Sequence, residues 1–139
     1  MSSIKILQGN CLDRLRDLPE KSVNTCVTSP PYFNLRDYGI TDQLGLEETP
    51  EQFTENLVKL FREVRRVLRD DGTVWLNLGD SYSSGGRKTT NNQDLRGDKE
   101  YGVTRPKPSK GIKEKDLIGI PWRVAFALQA DGWYLRQDI

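Results

Sequence analysis

Histidine is absent from this 139-residue chain. Its absence removes imidazole both as a metal ligand and as a general base near neutral pH. Cysteine is scarce: Cys11 and Cys26, each in an apolar, strand-like setting, are the two in the chain. They read as small buried residues rather than as a disulfide or a metal pair, and no metal is expected. No apolar run is long enough to span a bilayer and no signal peptide is visible. No membrane partner is therefore expected, and the cytoplasm is the default location. No tandem repeat is present, and one domain over 1–139 is the expectation from length.

Net charge is also nearly missing, with 21 Lys and Arg against 20 Asp and Glu. The balance is uneven along the chain. Between Ser83 and Lys115 the cations Arg87, Lys88, Arg96, Lys99, Arg105, Lys107, Lys110, Lys113 and Lys115 are opposed only by Asp94, Asp98, Glu100 and Glu114. The stretch 83–116 is rich in Gly, Ser, Asn and Pro, has no helix or strand period, and is far longer than an ordinary connector. It reads either as a flexible phosphate-contacting loop or as a solvated, partly disordered insertion.

Alternating elements fill the rest. Lys5–Leu7 is a short strand, and Cys11–Leu18 an amphipathic helix ended by Pro19. Val23–Thr28 reads as a buried strand of the parallel kind. Thr49, Pro50 and Gln52 form a helix start with a capping box. Phe53, Leu57, Leu60, Val64 and Val67 then make one apolar stripe, and Gly72 is the expected left-handed cap. Thr73–Leu78 is a second long strand, parallel to Val23–Thr28. Leu117–Ala130 is a helix ended by Asp131 and Gly132, and Trp133–Ile139 a third core strand. This order predicts an α/β fold, a mostly parallel sheet with flanking helices. Ligands of such folds sit beyond the carboxyl ends of the strands, where Tyr32 and Asp80 fall.

The run Thr28-Ser29-Pro30-Pro31-Tyr32 follows the first long strand. Each proline locks φ and lacks an N–H, and Ser29 and Pro30 are kept out of the helical region by the proline that follows each. Carbonyls freed in this way point into the cleft beyond the strand. With the Ser29 hydroxyl and the Tyr32 ring they make a rigid cradle for a planar molecule bearing an exocyclic amine. A Pro-Pro-Tyr run also occurs as a ligand of proline-recognising domains.

The run resembles the catalytic motif of the amino-group DNA methyltransferases, Ser/Asp/Asn-Pro-Pro-Tyr at the end of a central strand. Companion blocks extend the similarity: Ile6–Cys11, Leu35–Gly39, Gly72–Asp80 and Gly119–Arg123. The serine with a preceding threonine is similar to the cytosine-N4 branch, with adenine-N6 the alternative. The resemblance implies a Rossmann-like S-adenosylmethionine-dependent methyltransferase fold acting on double-stranded DNA. In that setting Ser29 and Pro30 accept from the amine, Pro31 stiffens the turn, and Tyr32 stacks on a base flipped out of the duplex. Tyr32 as a core aromatic is the plainer alternative.

For S-adenosylmethionine the implied contacts are Gly9, Asn10 and Cys11, similar to the family's Gly-Asp-Cys turn, together with Thr28 and Asp80. A plain turn permitted by Gly9 is the other reading of the first three. For DNA they are Arg36 and Tyr38 beside the base, and Arg87, Lys88 and Arg105 in the basic stretch. The branch with this motif order carries a Phe-x-Gly-x-Gly cofactor motif near its carboxyl terminus, and none is present here. The resemblance thus implies an incomplete catalytic domain, completed by a carboxyl-terminal half or a second chain. Competing expectations are a nucleic-acid-binding module that has lost cofactor binding and a remnant that needs a partner.

Overall fold

Thr49 starts the longest helix as its sequence predicts: the hydroxyl oxygen accepts from the Gln52 N–H at 3.2 Å, and Pro50 occupies the first turn. Pro fits there because the first-turn N–H has no intrahelical partner. The computed structural model describes residues 3–83 and 111–139. In chain order these form α1 (Cys11–Arg16), β1 (Val23–Thr28), α2 (Pro50–Val67), β2 (Leu68–Leu76) and α3 (Ile120–Ala130). Strands β1 and β2 pair in parallel, with α2 as the crossover between them. No helix among the described residues is long and apolar enough to cross a membrane.

The stripe on α2 makes the core. Phe53, Leu57, Leu60, Phe61, Val64 and Val67 are buried there, and Phe33, Ile118, Ile120 and Val124 close around them. The Phe33 and Phe53 rings meet at 5.5 Å and a 49° tilt, and Phe61 meets Trp133 edge-on at 6.3 Å. Polar ties hold α3 along α2. Arg123 Nη1 lies 2.9 Å from Glu51 Oε1 near the start of both helices. At their far ends Arg62 Nε donates to Asp131 Oδ1 at 2.9 Å, and Arg65 Nη1 donates to the Asp131 carbonyl at 3.0 Å. The two helices therefore run the same way. Helix α1 buries no residue fully and depends on Arg66, whose Nη2 and Nη1 donate to the carbonyls of Leu15 (2.9 Å) and Leu18 (3.2 Å).

Several sequence expectations are corrected. Helix α2 ends at Leu68, which is extended, and Gly72 lies inside β2 without a positive φ. The glycine is needed for space. Between the pairs Val23↔Leu68 and Thr25↔Thr73 the ladder advances two residues on β1 and five on β2. A Cβ at Gly72 inside that bulge would lie 2.9 Å from the Arg69 carbonyl oxygen and 3.2 Å from that of Asn24.

Strand β1 is not buried on both sides. Cys26 and Thr28 face the helices, while Val27, opposite Trp75, is 76% exposed because the helices cover one face. Lys5–Leu7 and Trp133–Ile139 form no strand, since neither finds a ladder partner among the described residues; Ile6 and Tyr134 stand in solvent. Cys11 is exposed, because it opens the little-buried α1.

Asp131 gives the helix pair a pH dependence. The hydrogen bond from Arg62 holds its carboxyl below the ordinary 3.8, against an opposing push from burial. A depressed carboxylate contributes stability that is complete above the ordinary value and is lost as pH falls through the folded one. Melting curves on acidification should therefore show a smaller drop in Tm for Asp131→Asn than for the unaltered chain. Equal drops would remove this ion pair from the acid limb.

Candidate functional site

The last rung joining the two strands is the Asn77 N–H donating to the Thr28 carbonyl at 2.9 Å. Beyond it Pro30 and Pro31 have no N–H to donate, so the ladder stops and the chain turns away from β2. All peptide bonds among the described residues are trans. Pro30 is buried, Ser29 exposed, and Pro31 and Tyr32 half-buried. Phe33, 2% exposed, then drives into the core against Phe53 and anchors the turn directly behind Tyr32. Neither the Ser29 hydroxyl nor the Pro30 carbonyl has a hydrogen-bond partner among the described residues.

Two glycines fit around Tyr32. A Cβ on Gly79, just past β2, would come within 2.7 Å of ring atoms Cδ2 and Cε2. A Cβ on Gly45, whose φ is +96°, would lie 2.8 Å from the Tyr32 carbonyl oxygen and 3.3 Å from Pro31 Cβ. The Gly45 carbonyl also accepts from the Asn34 N–H at 2.7 Å. One ring edge is thus set on the end of β2, and the backbone behind it is held by the returning loop.

These contacts frame an open cleft of about 310 Å³, lined by Ser29, Pro30, Pro31, Tyr32, Leu35, Arg36 and Tyr38. Its size is at the lower end for small-molecule sites. All four residues of the expected catalytic run are together in it, with Arg36 and Tyr38 on the rim. Leu35 was missed as a lining residue; a lone apolar side chain, 51% exposed in a polar loop, was the available signal.

The expected cofactor residues are not gathered in this cleft. Asn10 caps α1, its Oδ1 accepting from the Leu12 N–H at 2.9 Å, while Gly9 takes φ +133° in the turn before it. The expectation that this oxygen faces an adenine amine meets an oxygen already engaged. Asp80 is engaged more fully. Its Oδ1 accepts from the N–H groups of Ser81 (2.8 Å), Gly119 (3.0 Å) and Ile120 (3.0 Å), and its Oδ2 is 3.0 Å from the same Gly119 N–H. Gly119 has no side chain to cap α3. The Asp80 carboxylate supplies the cap from the end of β2, where the helix dipole also favours a negative charge. Sequence reading missed this cap because donors and acceptor are 39 and 40 residues apart. Thr28 is half-buried and Cys11 exposed.

An antiparallel bridge, Tyr82↔Leu117, closes the far side of this region. The Ser83 N–H donates to the Asp116 carbonyl (2.8 Å), and the Lys115 N–H to that of Ser83 (2.7 Å). Arg87, Lys88 and Arg105 lie outside the described residues. Among the described residues no group of three or more His, Cys, Asp or Glu side chains is placed to hold a metal ion.

Comparison with known proteins gives one consistent result. The family model for DNA methylases of the N6/N4 type matches residues 23–139. Type II methyltransferase M.Cfr9I of Citrobacter freundii is 52% identical over the whole chain, which covers 46% of that protein. Type II methyltransferase M.XycI of Xanthomonas campestris pv. cyanopsidis is 55% identical over 96% of this chain and 44% of its own length. Type II methyltransferase M.SmaI of Serratia marcescens is 50% identical over the whole chain and 47% of its own length. The chain spans a little under half the length of these curated relatives. No solved structure matches.

The glycine behind Tyr32 should resist substitution. Gly45→Ala meets both a positive φ and a carbonyl at 2.8 Å, whereas Gly39, at φ +68°, has nothing within 4 Å. Denaturant unfolding should show Gly45→Ala destabilised by about 1–3 kcal/mol and Gly39→Ala by less. Equal losses would mean that the Tyr32 contact contributes nothing.

Proposed function

This chain belongs to the DNA methylase family, and from that premise we propose that its proline turn methylates the exocyclic N4 amine of a cytosine flipped out of double-stranded DNA. The observation that carries the reading is the cleft itself: the Ser29 hydroxyl and the Pro30 carbonyl, neither with a partner among the described residues, and the Tyr32 ring around one open volume. The choice of cytosine rests on serine at the first position of the motif, and adenine-N6 is the alternative product. The proposal includes the Rossmann-like arrangement of the family's catalytic domain.

A base amine is a weak nucleophile because its lone pair is delocalised into the ring. The Ser29 hydroxyl oxygen and the Pro30 carbonyl accept from its two hydrogens and draw the nitrogen towards a tetrahedral geometry. The nitrogen lone pair then forms the new N–C bond. The methyl donor, S-adenosylmethionine, supplies an electrophilic carbon whose bond to sulfur breaks as the sulfonium takes the electron pair. The proton lost from nitrogen leaves past Ser29, which is exposed to solvent. Alignment in the cleft provides much of the rate. Tyr32 stacks on the extruded base, a contact worth about 1–3 kcal/mol at comparable sites, with one ring edge set against Gly79. Pro31 keeps the turn stiff.

The donor contacts in this proposal are Gly9, Cys11 and Thr28. Asn10 and Asp80 fit less well, since their side-chain oxygens already cap α1 and α3. Those two caps favour a second reading, a nucleic-acid-binding module without a donor site. On either reading Arg36, Arg87, Lys88 and Arg105 contact phosphate, and Tyr38 lies beside the base. Completion by further polypeptide, in the same or a second chain, also belongs to the proposal.

Methyl transfer from labelled S-adenosylmethionine to mixed-sequence DNA, with nucleoside mass analysis, tests the enzyme. N4-methylcytosine is the expected product; N6-methyladenine would replace the cytosine assignment, and no product from a folded chain would point to a fragment or to a binding remnant that lacks the cofactor half. Ser29→Ala should lower the rate on the order of a hundredfold, in the range of positioned proton-handling groups, with an unchanged circular dichroism spectrum. An unchanged rate would remove Ser29 from the chemistry. Replacing Arg87, Lys88 and Arg105 together by alanine should make the DNA affinity less salt-dependent, since each lost phosphate contact removes about one unit from the log–log slope. An identical slope would place all three off the DNA.

A further inference from the structure

The loop between Phe33 and Gly45 carries Arg36 and Tyr38 to the rim of the cleft, yet buries little of itself. Leu35, Tyr38 and Ile40 are 51%, 53% and 67% exposed. Its ends are joined by the Asn34 N–H to the Gly45 carbonyl, at 2.7 Å. Leu44 alone packs against the core from within this loop, so a compact loop with joined ends and so little apolar filling holds its shape largely through hydrogen bonds. Most of those that cross it converge on one side chain.

That side chain is Gln43. Its Oε1 accepts from the backbone N–H of Tyr38 at 2.7 Å, and its Nε2 donates to the backbone carbonyl of Arg36 at 2.7 Å. Its own N–H donates to the Ile40 carbonyl at 3.3 Å. Gln43 is half-buried, and Asp42 before it takes φ +59°, which turns the chain back across the loop. An amide offers a donor and an acceptor on separate atoms of one side-chain terminus, so it can bond an N–H and a carbonyl at the same time. A carboxylate there repels the Arg36 carbonyl, and an ammonium repels the Tyr38 N–H. Asp37, between the two rim residues, adds a local bond, its Oδ1 accepting from the Gly39 N–H at 2.7 Å.

We infer that Gln43 is a positioning residue for the base cleft: one side-chain amide, bonded to both Arg36 and Tyr38, sets the two rim residues at the spacing that receives the extruded base and its phosphate. The inference rests on the proposed base-binding role of the cleft. Gln43 touches neither base nor donor and acts through the backbone of two residues that line the cleft. Gly45, two residues on, holds Tyr32 from behind, so the short segment Gln43–Gly45 fixes both the rim and the floor.

Gln43→Ala and Gln43→Glu separate the two bonds. Three quantities are measured on the full chain: amide hydrogen exchange at Tyr38, thermal unfolding, and binding of a single-stranded oligodeoxycytidine by fluorescence anisotropy. For Gln43→Ala, Tyr38 should exchange faster, Tm should hardly move, and affinity should fall on the order of tenfold, as expected for about two ordinary hydrogen bonds. Gln43→Glu keeps an acceptor for Tyr38, so exchange there should stay slow while affinity falls part of the way. Affinity unchanged in Gln43→Ala despite fast Tyr38 exchange would overturn the positioning role alone. An unaltered chain with a protected Tyr38 that does not bind the oligonucleotide would overturn the base-cleft reading, and with it this role.

Discussion

Pro30 and Pro31 remove two successive N–H donors where β1 ends, and the geometry of the site follows from that gap. A parallel ladder continues only while both strands offer donors. Past Ser29 neither Pro30 nor Pro31 offers one, so the chain leaves the sheet, and the Ser29 hydroxyl and Pro30 carbonyl have no partner among the described residues. Phe33 then returns the chain to the core, three residues after Pro30. Between those two events only a tight turn is available, and Tyr32 is at its crest. The free acceptors exist because backbone pairing was withdrawn, while core packing keeps the turn from collapsing onto them.

The parts of this arrangement that sequence reveals are those written in local chemistry. Thr49, Pro50 and the Phe53–Val67 stripe specify the start and the buried face of α2, because caps and helical periodicity act within a few positions. The parallel pairing of β1 and β2 follows from one crossover helix. The catalytic run is legible because its prolines act on their own dihedrals. What sequence does not reveal depends on partners far along the chain. Asp80 reads as a cleft residue until Gly119 and Ile120 are seen to donate to it. Gly72 reads as a helix cap until the Arg69 and Asn24 carbonyls appear beside it. The apolar run at Val23–Thr28 reads as doubly buried, although one of its faces meets no helix. Gln43 gave no signal, since a glutamine in a polar loop looks the same whether or not its amide is used.

The same distinction bears on how a family resemblance is carried into one chain. The four residues of the proline run stand together in one cleft. Two of the residues matched to the cofactor site already have partners: Asn10 Oδ1 caps α1 and the Asp80 carboxylate caps α3. Sequence similarity at about half identity fixes the family, while the hydrogen bonds show which matched side chains already have a partner.

The bridge at Tyr82 and Leu117 has a wider consequence. Three backbone bonds, Ile118 to Ser81, Ser83 to Asp116 and Lys115 to Ser83, tie two segments that are more than thirty residues apart in the chain. They form a neck. Whatever is threaded through it, the Asp80 cap, the start of α3 and the Gly79 seat for Tyr32 keep their register, because strain from beyond the neck has to break those bonds before it reaches them. The neck thus separates two regions: a change of length or sequence between 84 and 110 meets paired backbone before it reaches the proline turn.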